Sequence, residues 1–302
     1  MKHDAIAAEH PNEHVSPHSK FGDVMMLAKP RLNTLVVLSA AGGYYMAAPP
    51  ALGVMALVVA CVGTALVAGG ASAFNQIYER DTDRLMARTR TRPMADNRMS
   101  IAEAVMAGTA MTVAGLAILW TAATPAAAWV ALATFISYVV VYTPMKRRSS
   151  FSTVVGAVPG ALPPLIGWAA VRGSVSGLEP WSLFLIMFLW QLPHFLAIAW
   201  MYREDYARAG MPMLSVIDRD GAFTGRQALV WAASLVPFGQ LPFLLGMAGP
   251  AYAIGALVLS AAQLVLAFSF ARHRSIANAR LLFFASIIYL PLLWLLMVLA
   301  RT

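Results

Sequence analysis

ALGVMALVVACVGTALVAGGASAF, residues 51–74, is the stretch that decides the fold of this chain. It carries no charged side chain and exceeds the roughly 20 residues that an α-helix needs to cross a hydrocarbon core. Its apolar residues do not alternate with polar ones as they do in a barrel strand, and backbone polar groups inside a bilayer must pair internally. The stretch therefore predicts a transmembrane α-helix.

Eight more apolar runs of this kind occur along the 302 residues. The nine predicted spans are 32–48, 51–74, 101–121, 125–143, 153–171, 181–201, 228–245, 250–271 and 281–300. Hydrophobic residues make up 59% of the chain and charged residues 12%, which would leave a soluble domain with too little polar surface. The sequence therefore predicts an all-α integral membrane protein, a bundle of about nine transmembrane helices.

The division of the chain follows from these spans. We assign residues 1–26 to a mobile N-terminal tail and residues 27–302 to one transmembrane domain. Cys61 is the only cysteine, so no intramolecular disulfide can form. The tail contains four histidines without regular ligand spacing, which does not favour a metal site there: His3, His10, His14 and His18.

Charged residues collect on one side of the predicted bundle. All but two of the 22 basic residues lie in the N-terminal segment or in the loops after the second, fourth, sixth and eighth spans; Arg172 and Arg301 are the exceptions. The positive-inside rule then places the N-terminus in the cytoplasm. All but one of the 14 acidic residues share that side, which a site needing both signs would explain. No recognisable nucleic-acid-binding module accompanies the charge, so we expect no nucleic-acid partner.

The segment Asn75-Gln-Ile-Tyr-Glu-Arg-Asp-Thr-Asp83 follows the decisive stretch directly. If the helix continues, Asn75, Glu79 and Asp83 advance about 40° and about 6 Å per step and form one polar stripe, while Asp81 points elsewhere. An amide and two carboxylates suit Mg²⁺, which keeps several waters and bridges to phosphates. The following arginines suit phosphate itself: Arg84, Arg88, Arg90 and Arg92. A solvated helix end with neutralised carboxylates is the alternative.

A second polar element, Tyr142-Thr-Pro-Met-Lys146 followed by Arg147, lies where the fourth span meets the cytoplasm. A lysine is a mobile point charge that can offset negative charge on a leaving pyrophosphate. The alternative interpretation is an interfacial aromatic followed by cationic topology markers.

One histidine, His194, lies inside the predicted spans, in Trp190-Gln-Leu-Pro-His-Phe195. Ionisable groups within a membrane usually face a bundle interior or a cavity, and Gln191 beside it strengthens that interpretation. On a continuous helix, Asp205 would be offset from His194 by only about 20° and lie about 16 Å nearer the cytoplasm. The two could then line opposite ends of a long cavity. A core histidine bonded to a neighbouring helix is the alternative.

The stripe resembles the Asn-x-x-x-Asp-x-x-x-Asp signature of the UbiA-type intramembrane prenyltransferases, with Glu79 in place of the middle aspartate. The Tyr-x-x-x-Lys pattern at Lys146 is similar to a second element of that family. The resemblance implies that the stripe binds the magnesium diphosphate of a polyprenyl donor. It also implies a diphosphate-binding set around that metal: Arg84, Arg88, Arg90, Arg92, Tyr142, Lys146 and Arg147.

Further segments resemble the branch of this family that farnesylates protohaem IX: Trp190-Gln-Leu-Pro-His-Phe195, Asp205-Tyr-Ala-Arg-Ala-Gly-Met-Pro-Met-Leu214, Lys29-Pro-Arg31 and Arg88-Thr-Arg-Thr-Arg-Pro93. Quinone-forming relatives usually carry a second Asp-x-x-x-Asp pair, whereas Ala209 stands four residues after Asp205 here. The resemblance implies transfer of a farnesyl group from farnesyl diphosphate to a vinyl group of haem b, with water addition, giving haem O and pyrophosphate. Its implied haem-binding residues are Gln191, His194, Asp205 and Tyr206.

The resemblance also implies partners, namely membrane lipid, haem A synthase or terminal oxidase assembly factors, and a second copy of the chain. Two other functions stay open. A prenyltransferase acting on a phenolic or quinone-precursor ring would share the stripe and the Tyr-x-x-x-Lys element. A non-enzymatic transporter would place its site nearer the membrane midplane, at interrupted helices.

Overall fold

The computed structural model describes residues 19–48 and 53–302, which form helices and connecting loops without a β-strand. The helices are α1 Lys20–Ala28, α2 Pro30–Ala47, α3 Val54–Asp83, α4 Ile101–Ala123, α5 Pro125–Met145, α6 Ser152–Arg172, α7 Leu178–Met201, α8 Arg203–Arg208, α9 Leu214–Ile217, α10 Ala222–Leu244, α11 Pro250–His273 and α12 Ile276–Leu299.

Eight of the helices in the described part of the chain are long and apolar enough to cross a membrane. A ninth span results when α1 and α2, bent by 47° at Lys29, are counted together. Each of the nine predicted runs coincides with one of these spans. The chain is therefore a multi-pass integral membrane protein, as the apolar runs predict.

The long helix α3 continues from the apolar stretch through the polar stripe and ends at Asp83, which confirms the predicted continuation. Small residues let α3 lie directly against α4. A Cβ on Gly70 would come within 2.1 Å of Thr112 Oγ1 and 2.7 Å of the Gly108 carbonyl oxygen, so only glycine permits this approach. The α3–α4 contact therefore fixes the height and rotation of the stripe.

Helix α7 runs through the centre of the bundle. Its most apolar window is 67% buried, the largest fraction among the described spans. Leu183, Ile186 and Leu189 pack in one core cluster with Tyr252 of α11 and Leu293 of α12. Because α7 is enclosed on most sides, its remaining polar side chains face the interior of the bundle.

Residues 20–26 differ from the mobile tail that the sequence suggests, because α1 begins at Lys20. The Ser19 side chain caps this helix by accepting from the Gly22 backbone N–H at 3.0 Å. Leu27 is fully buried, and Asp23 forms an ion pair with Arg98. These contacts hold α1 against α3. The four tail histidines lie outside the described residues.

Candidate functional site

A cavity of about 420 Å³ opens among α2, α3, α5, α6 and α7. At one end it is bordered by the charged rim, a name we use for Lys29, Asn75, Glu79, Asp83, Arg92 and Lys146. It is also lined by three residues of α7 that we call the inner end, namely Trp190, Gln191 and His194. Most of the lining is apolar. The cavity thus joins a polar mouth to an apolar interior.

The three stripe residues lie on one face of α3, as their spacing predicts. Asn75, Glu79 and Asp83 are 1%, 3% and 1% exposed, and all three line the cavity. The Asp81 side chain is 64% exposed and points away. Buried carboxylates require charged or hydrogen-bonding partners, so the partners of the stripe decide what it can bind.

Each stripe residue accepts a hydrogen bond from a different cation. Lys29 Nζ lies 2.8 Å from Asn75 Oδ1, and Lys146 Nζ lies 2.8 Å from Glu79 Oε1. Arg92 Nη1 donates to both oxygens of Asp83, at 2.9 and 2.7 Å. These pairs connect the stripe to three separate chain segments.

Lys29 is not among the site residues predicted from sequence, although the Lys29-Pro30 dipeptide indicates a helix boundary. Pro30 disfavours the right-handed helical conformation at the preceding residue, so α1 ends there and α2 begins. Lys29 adopts a left-handed conformation with φ 50°, which is uncommon for a residue with a side chain. The bend between α1 and α2 thereby places this ammonium group over Asn75.

The loop after α3 folds back and returns Arg92 to the stripe. Thr89 Oγ1 donates to the Asp83 carbonyl oxygen at 2.9 Å, and Arg84 Nε donates to the Ala95 carbonyl oxygen at 2.8 Å. Met86 is buried beneath the loop. Arg84 therefore stabilises the loop and does not line the cavity.

Lys146 approaches Glu79 because α5 ends irregularly. Residues Ser137–Tyr142 form a π-helical turn, and Thr143, just after it, accepts a hydrogen bond from Asn75 Nδ2 at 3.3 Å. The Lys146 ammonium also lies 4.9 Å from the centre of the Tyr142 ring. Burial lowers the pKa of Lys146, but the adjacent Glu79 carboxylate outweighs it, and the pKa lies well above its ordinary value.

The structure divides the other predicted diphosphate residues into two groups. Arg88 and Tyr142 line the cavity together with Arg92 and Lys146. Arg88 Nη2 donates to Tyr206 Oη at 2.9 Å, and its guanidinium lies 5.3 Å from the Tyr202 ring centre. The rest of the predicted set does not line the cavity: Arg84, Arg90 and Arg147.

The condition of a continuous helix from His194 to Asp205 is not met. Helix α7 ends at Met201, and Tyr202 departs from helical geometry with φ −109° before α8 begins. The Asp205 carboxylate pairs with Arg208 and does not line the cavity. Tyr206 does line it, and its hydroxyl accepts a hydrogen bond from Arg88.

The inner end holds its polar groups without charged partners. Gln191 Nε2 donates to the Ala157 and Met187 carbonyl oxygens at 2.9 and 3.0 Å. His194 lies between aromatic rings, with its Nδ1 2.6 Å from Ser286 Oγ. Both side chains are held by neutral groups, some on α7 itself and some on neighbouring spans.

The donor set of the rim fits a magnesium ion bound together with phosphate. The described residues contain no group of three His, Cys, Asp or Glu side chains placed to hold a metal alone. Mg²⁺ usually binds one or two carboxylates and keeps waters or substrate phosphates as its other ligands. Glu79, Asp83 and the Asn75 amide oxygen supply that number and kind of donor.

Comparison with known proteins gives consistent matches. The profile of the UbiA prenyltransferase family matches residues 36–288. The chain is 42% identical over 288 residues to the protoheme IX farnesyltransferase of Solibacter usitatus, covering 92% of this chain and 98% of that protein. It is 42% identical over 276 residues to the protoheme IX farnesyltransferase of Opitutus terrae, covering 91% and 93%.

Two solved structures share the fold. A digeranylgeranylglyceryl phosphate synthase gives a TM-score of 0.78 at 14% identity, covering 93% of this chain and 98% of the other. A UbiA homolog from Archaeoglobus fulgidus bound to GPP and Mg²⁺ gives 0.64 at 16% identity, covering 91% and 99%. At these identities the likeness concerns the arrangement of the helices alone.

Proposed function

Because the chain belongs to the UbiA prenyltransferase family, we propose that it transfers the farnesyl group of farnesyl diphosphate to a vinyl group of haem b. The products are haem O and pyrophosphate. One observation carries the proposal: a single cavity joins three buried metal-type ligands, each held by a cation, to a histidine enclosed by aromatic rings. Its relatives at 42% identity are named for this reaction.

At the charged rim, substrate binding changes the ionic partners of the stripe residues. Asn75, Glu79 and Asp83 would hold Mg²⁺, which supplies positive charge to the departing pyrophosphate. The three cations that occupy these ligands in the structure then donate to the diphosphate oxygens instead. Arg92 has the planar fork suited to phosphate, and the lysines follow the charge as it develops.

Between the rim and the inner end, the apolar walls bind the farnesyl chain and exclude water. Phe135, Tyr138, Ile166 and Phe195 line the cavity. Breaking the allylic C–O bond leaves a carbocation, which aromatic faces stabilise and stray water would quench. The vinyl carbon of haem then forms the new C–C bond. A water molecule adds its hydroxyl to the resulting cation and releases a proton.

At the inner end, His194 ligates or orients the haem that accepts the farnesyl group. A neutral imidazole is a common ligand of haem iron. Leu32 and Leu35 of α2 line the cavity and are 63% and 45% exposed, so the cavity is open beside α2. An apolar opening of this kind is suited to the entry of an amphiphile such as haem.

The charge distribution supports a cytoplasmic site in a bacterial inner membrane. The rim contacts join Lys29, Arg92 and Lys146 at one end of the bundle. Arg301 contacts the Ala48 carbonyl at the C-terminal end of α2, on the far side of the span from Lys29. The positive-inside rule then assigns the rim to the cytoplasm.

The experiment that tests this function offers two acceptors to the detergent-purified protein. Farnesyl diphosphate is supplied with haem b or with 4-hydroxybenzoate, with Mg²⁺ or with EDTA, and products are identified by mass spectrometry. We expect a farnesylated, hydroxylated haem and pyrophosphate only when Mg²⁺ is present. Prenylation of the phenol alone would assign the chain to the quinone-forming branch. Transport of either substrate by the protein in sealed vesicles, without pyrophosphate release, would contradict an enzymatic function.

A further inference from the structure

The imidazole of His194 is held on both faces and at one ring nitrogen. It stacks on Trp190 with ring centroids 5.3 Å apart and an interplanar angle of 21°. It stacks on Phe283 of α12 at 5.0 Å and 26°. Nδ1 lies 2.6 Å from Ser286 Oγ, also on α12. The plane of the ring and its rotation are therefore both determined by neighbouring side chains.

The Ser286 hydroxyl decides which ring nitrogen carries the hydrogen. Oγ also lies 2.6 Å from the backbone carbonyl oxygen of Phe283, which can only accept. A serine hydroxyl has a single hydrogen, so both contacts are hydrogen bonds only in one arrangement. Ser286 donates to the Phe283 carbonyl and accepts from the Nδ1–H of His194.

This arrangement leaves Nε2 of His194 as the nitrogen with the lone pair, because a neutral imidazole carries one hydrogen. Within residues 19–48 and 53–302, Nε2 has no hydrogen-bond partner, and His194 lines the cavity. The Ser286 backbone carbonyl also accepts from the Trp190 indole N–H at 2.8 Å. One residue of α12 thus fixes both the tautomer of the histidine and one of the rings that enclose it.

We propose that Ser286 is a positioning residue, which holds His194 in the Nδ1–H tautomer and presents Nε2 to the iron of bound haem. The inference rests on the proposed haem role of His194. Groups that donate or accept at the far nitrogen of a metal-bound histidine commonly contribute 10- to 100-fold to metal affinity. Ser286 is neutral and fully buried, so its contribution to haem binding is through orientation and not through charge.

The chain offers a matched control on the neighbouring helix. Ser260 of α11 is also fully buried, and its hydroxyl hydrogen-bonds the Tyr289 hydroxyl at 3.1 Å. It does not line the cavity. Ser260→Ala therefore removes the same group from the same kind of environment without contacting His194.

The test titrates ferric haem b into purified wild-type protein, Ser286→Ala, Ser286→Thr, Ser260→Ala and His194→Ala, following the Soret band. The affinity for farnesyl diphosphate with Mg²⁺ is measured on the same samples by calorimetry. We expect Ser286→Ala to bind haem about 10- to 100-fold more weakly with a changed spectrum. Ser286→Thr, which keeps the hydroxyl, and Ser260→Ala should stay near wild type. All five proteins should bind farnesyl diphosphate alike.

Each contrary result has a distinct meaning. If His194→Ala weakens haem binding while Ser286→Ala behaves like Ser260→Ala, the role of Ser286 is wrong and that of His194 stands. If His194→Ala binds haem as the wild type does, both roles are wrong. An equal loss of haem and farnesyl diphosphate affinity in Ser286→Ala, or a loss in Ser286→Thr as large as that in Ser286→Ala, would assign Ser286 to packing and overturn the inference.

Discussion

The charged rim and the inner end hold their polar side chains by different means. At the rim, long cationic side chains donate to the stripe, and each can turn to a new anion when one arrives. At the inner end, Gln191 is bonded to two backbone carbonyls and His194 is fixed by rings and a hydroxyl. The rim is therefore suited to an exchange of charge, and the inner end to a constant orientation of the acceptor. Substitutions at the two ends should separate donor chemistry from acceptor binding.

The largest effect is expected from Asp83→Ala, which removes a metal ligand and leaves Arg92 without its carboxylate. We expect farnesyl transfer to fall by roughly 1,000-fold, since preorganised charge at a leaving group contributes on that order. Product formation by purified protein measures it, and membrane insertion should persist. Asp81→Ala, two residues away on the exposed side, is the control and should be nearly neutral. Substantial turnover by Asp83→Ala would remove the stripe from the mechanism.

Lys146→Met comes next, with an expected loss of about 100-fold in kcat, because the group that offsets the leaving charge is removed. Arg147→Met is the matched control, because Arg147 is exposed and outside the cavity lining. Equal losses in the two variants would restore Arg147 to the site.

Lys29→Met tests a rim residue that is not among the site residues predicted from sequence. Its ammonium is expected to pass from Asn75 to the diphosphate, and a hydrogen bond to a charged group contributes enough for about a 10-fold loss of farnesyl diphosphate affinity. Calorimetry with Mg²⁺ present measures the change, and haem affinity should not move. Lys20→Met, at an exposed pair with Glu103, is the control. A loss confined to haem binding would contradict a role of Lys29 in binding the diphosphate.

Gly160→Ala gives the smallest expected effect and acts on the inner end. A Cβ at this position would lie 2.1 Å from Gln191 Oε1, so the amide must shift. Overpacking of about 1 kcal/mol predicts roughly a fivefold rise in KM for haem with no change for farnesyl diphosphate. Steady-state kinetics with each substrate varied in turn would show it. Gly53→Ala, where a Cβ meets open space, is the control. A matching rise for both substrates would contradict the separation of the two ends.

The features predictable from sequence are those that follow from helical periodicity. The nine spans and the single face shared by Asn75, Glu79 and Asp83 follow from runs of uninterrupted helix, in which spacing translates directly into direction. The contacts between the cations and the stripe were not predictable from helical periodicity. Lys29 reaches Asn75 because its own backbone is left-handed, and Arg92 reaches Asp83 because the loop between them folds back.

The end of α7 is a feature that helical periodicity does not predict. The chain from Met201 to Tyr206 contains neither glycine nor proline, so nothing local marks the end of the helix at Met201. The alignment of Asp205 with His194 was expected only for a continuous helix, and the structure instead pairs Asp205 with Arg208. Ser286 carries no charge and resembles any small polar residue of a span. Only the structure shows that it contacts His194.

The π-helical turn at Ser137–Tyr142 has a consequence for chain length. Such a turn holds one residue more than a regular helical turn, so the chain after it keeps the direction that a regular helix shorter by one residue would give it. Deleting one amino acid inside the turn would restore a regular helix and leave Lys146 facing Glu79. Deleting one amino acid between the turn and Lys146 would instead rotate the lysine by about 100° away from the stripe. The position of a one-residue gap therefore decides whether it is silent or equivalent to an active-site substitution.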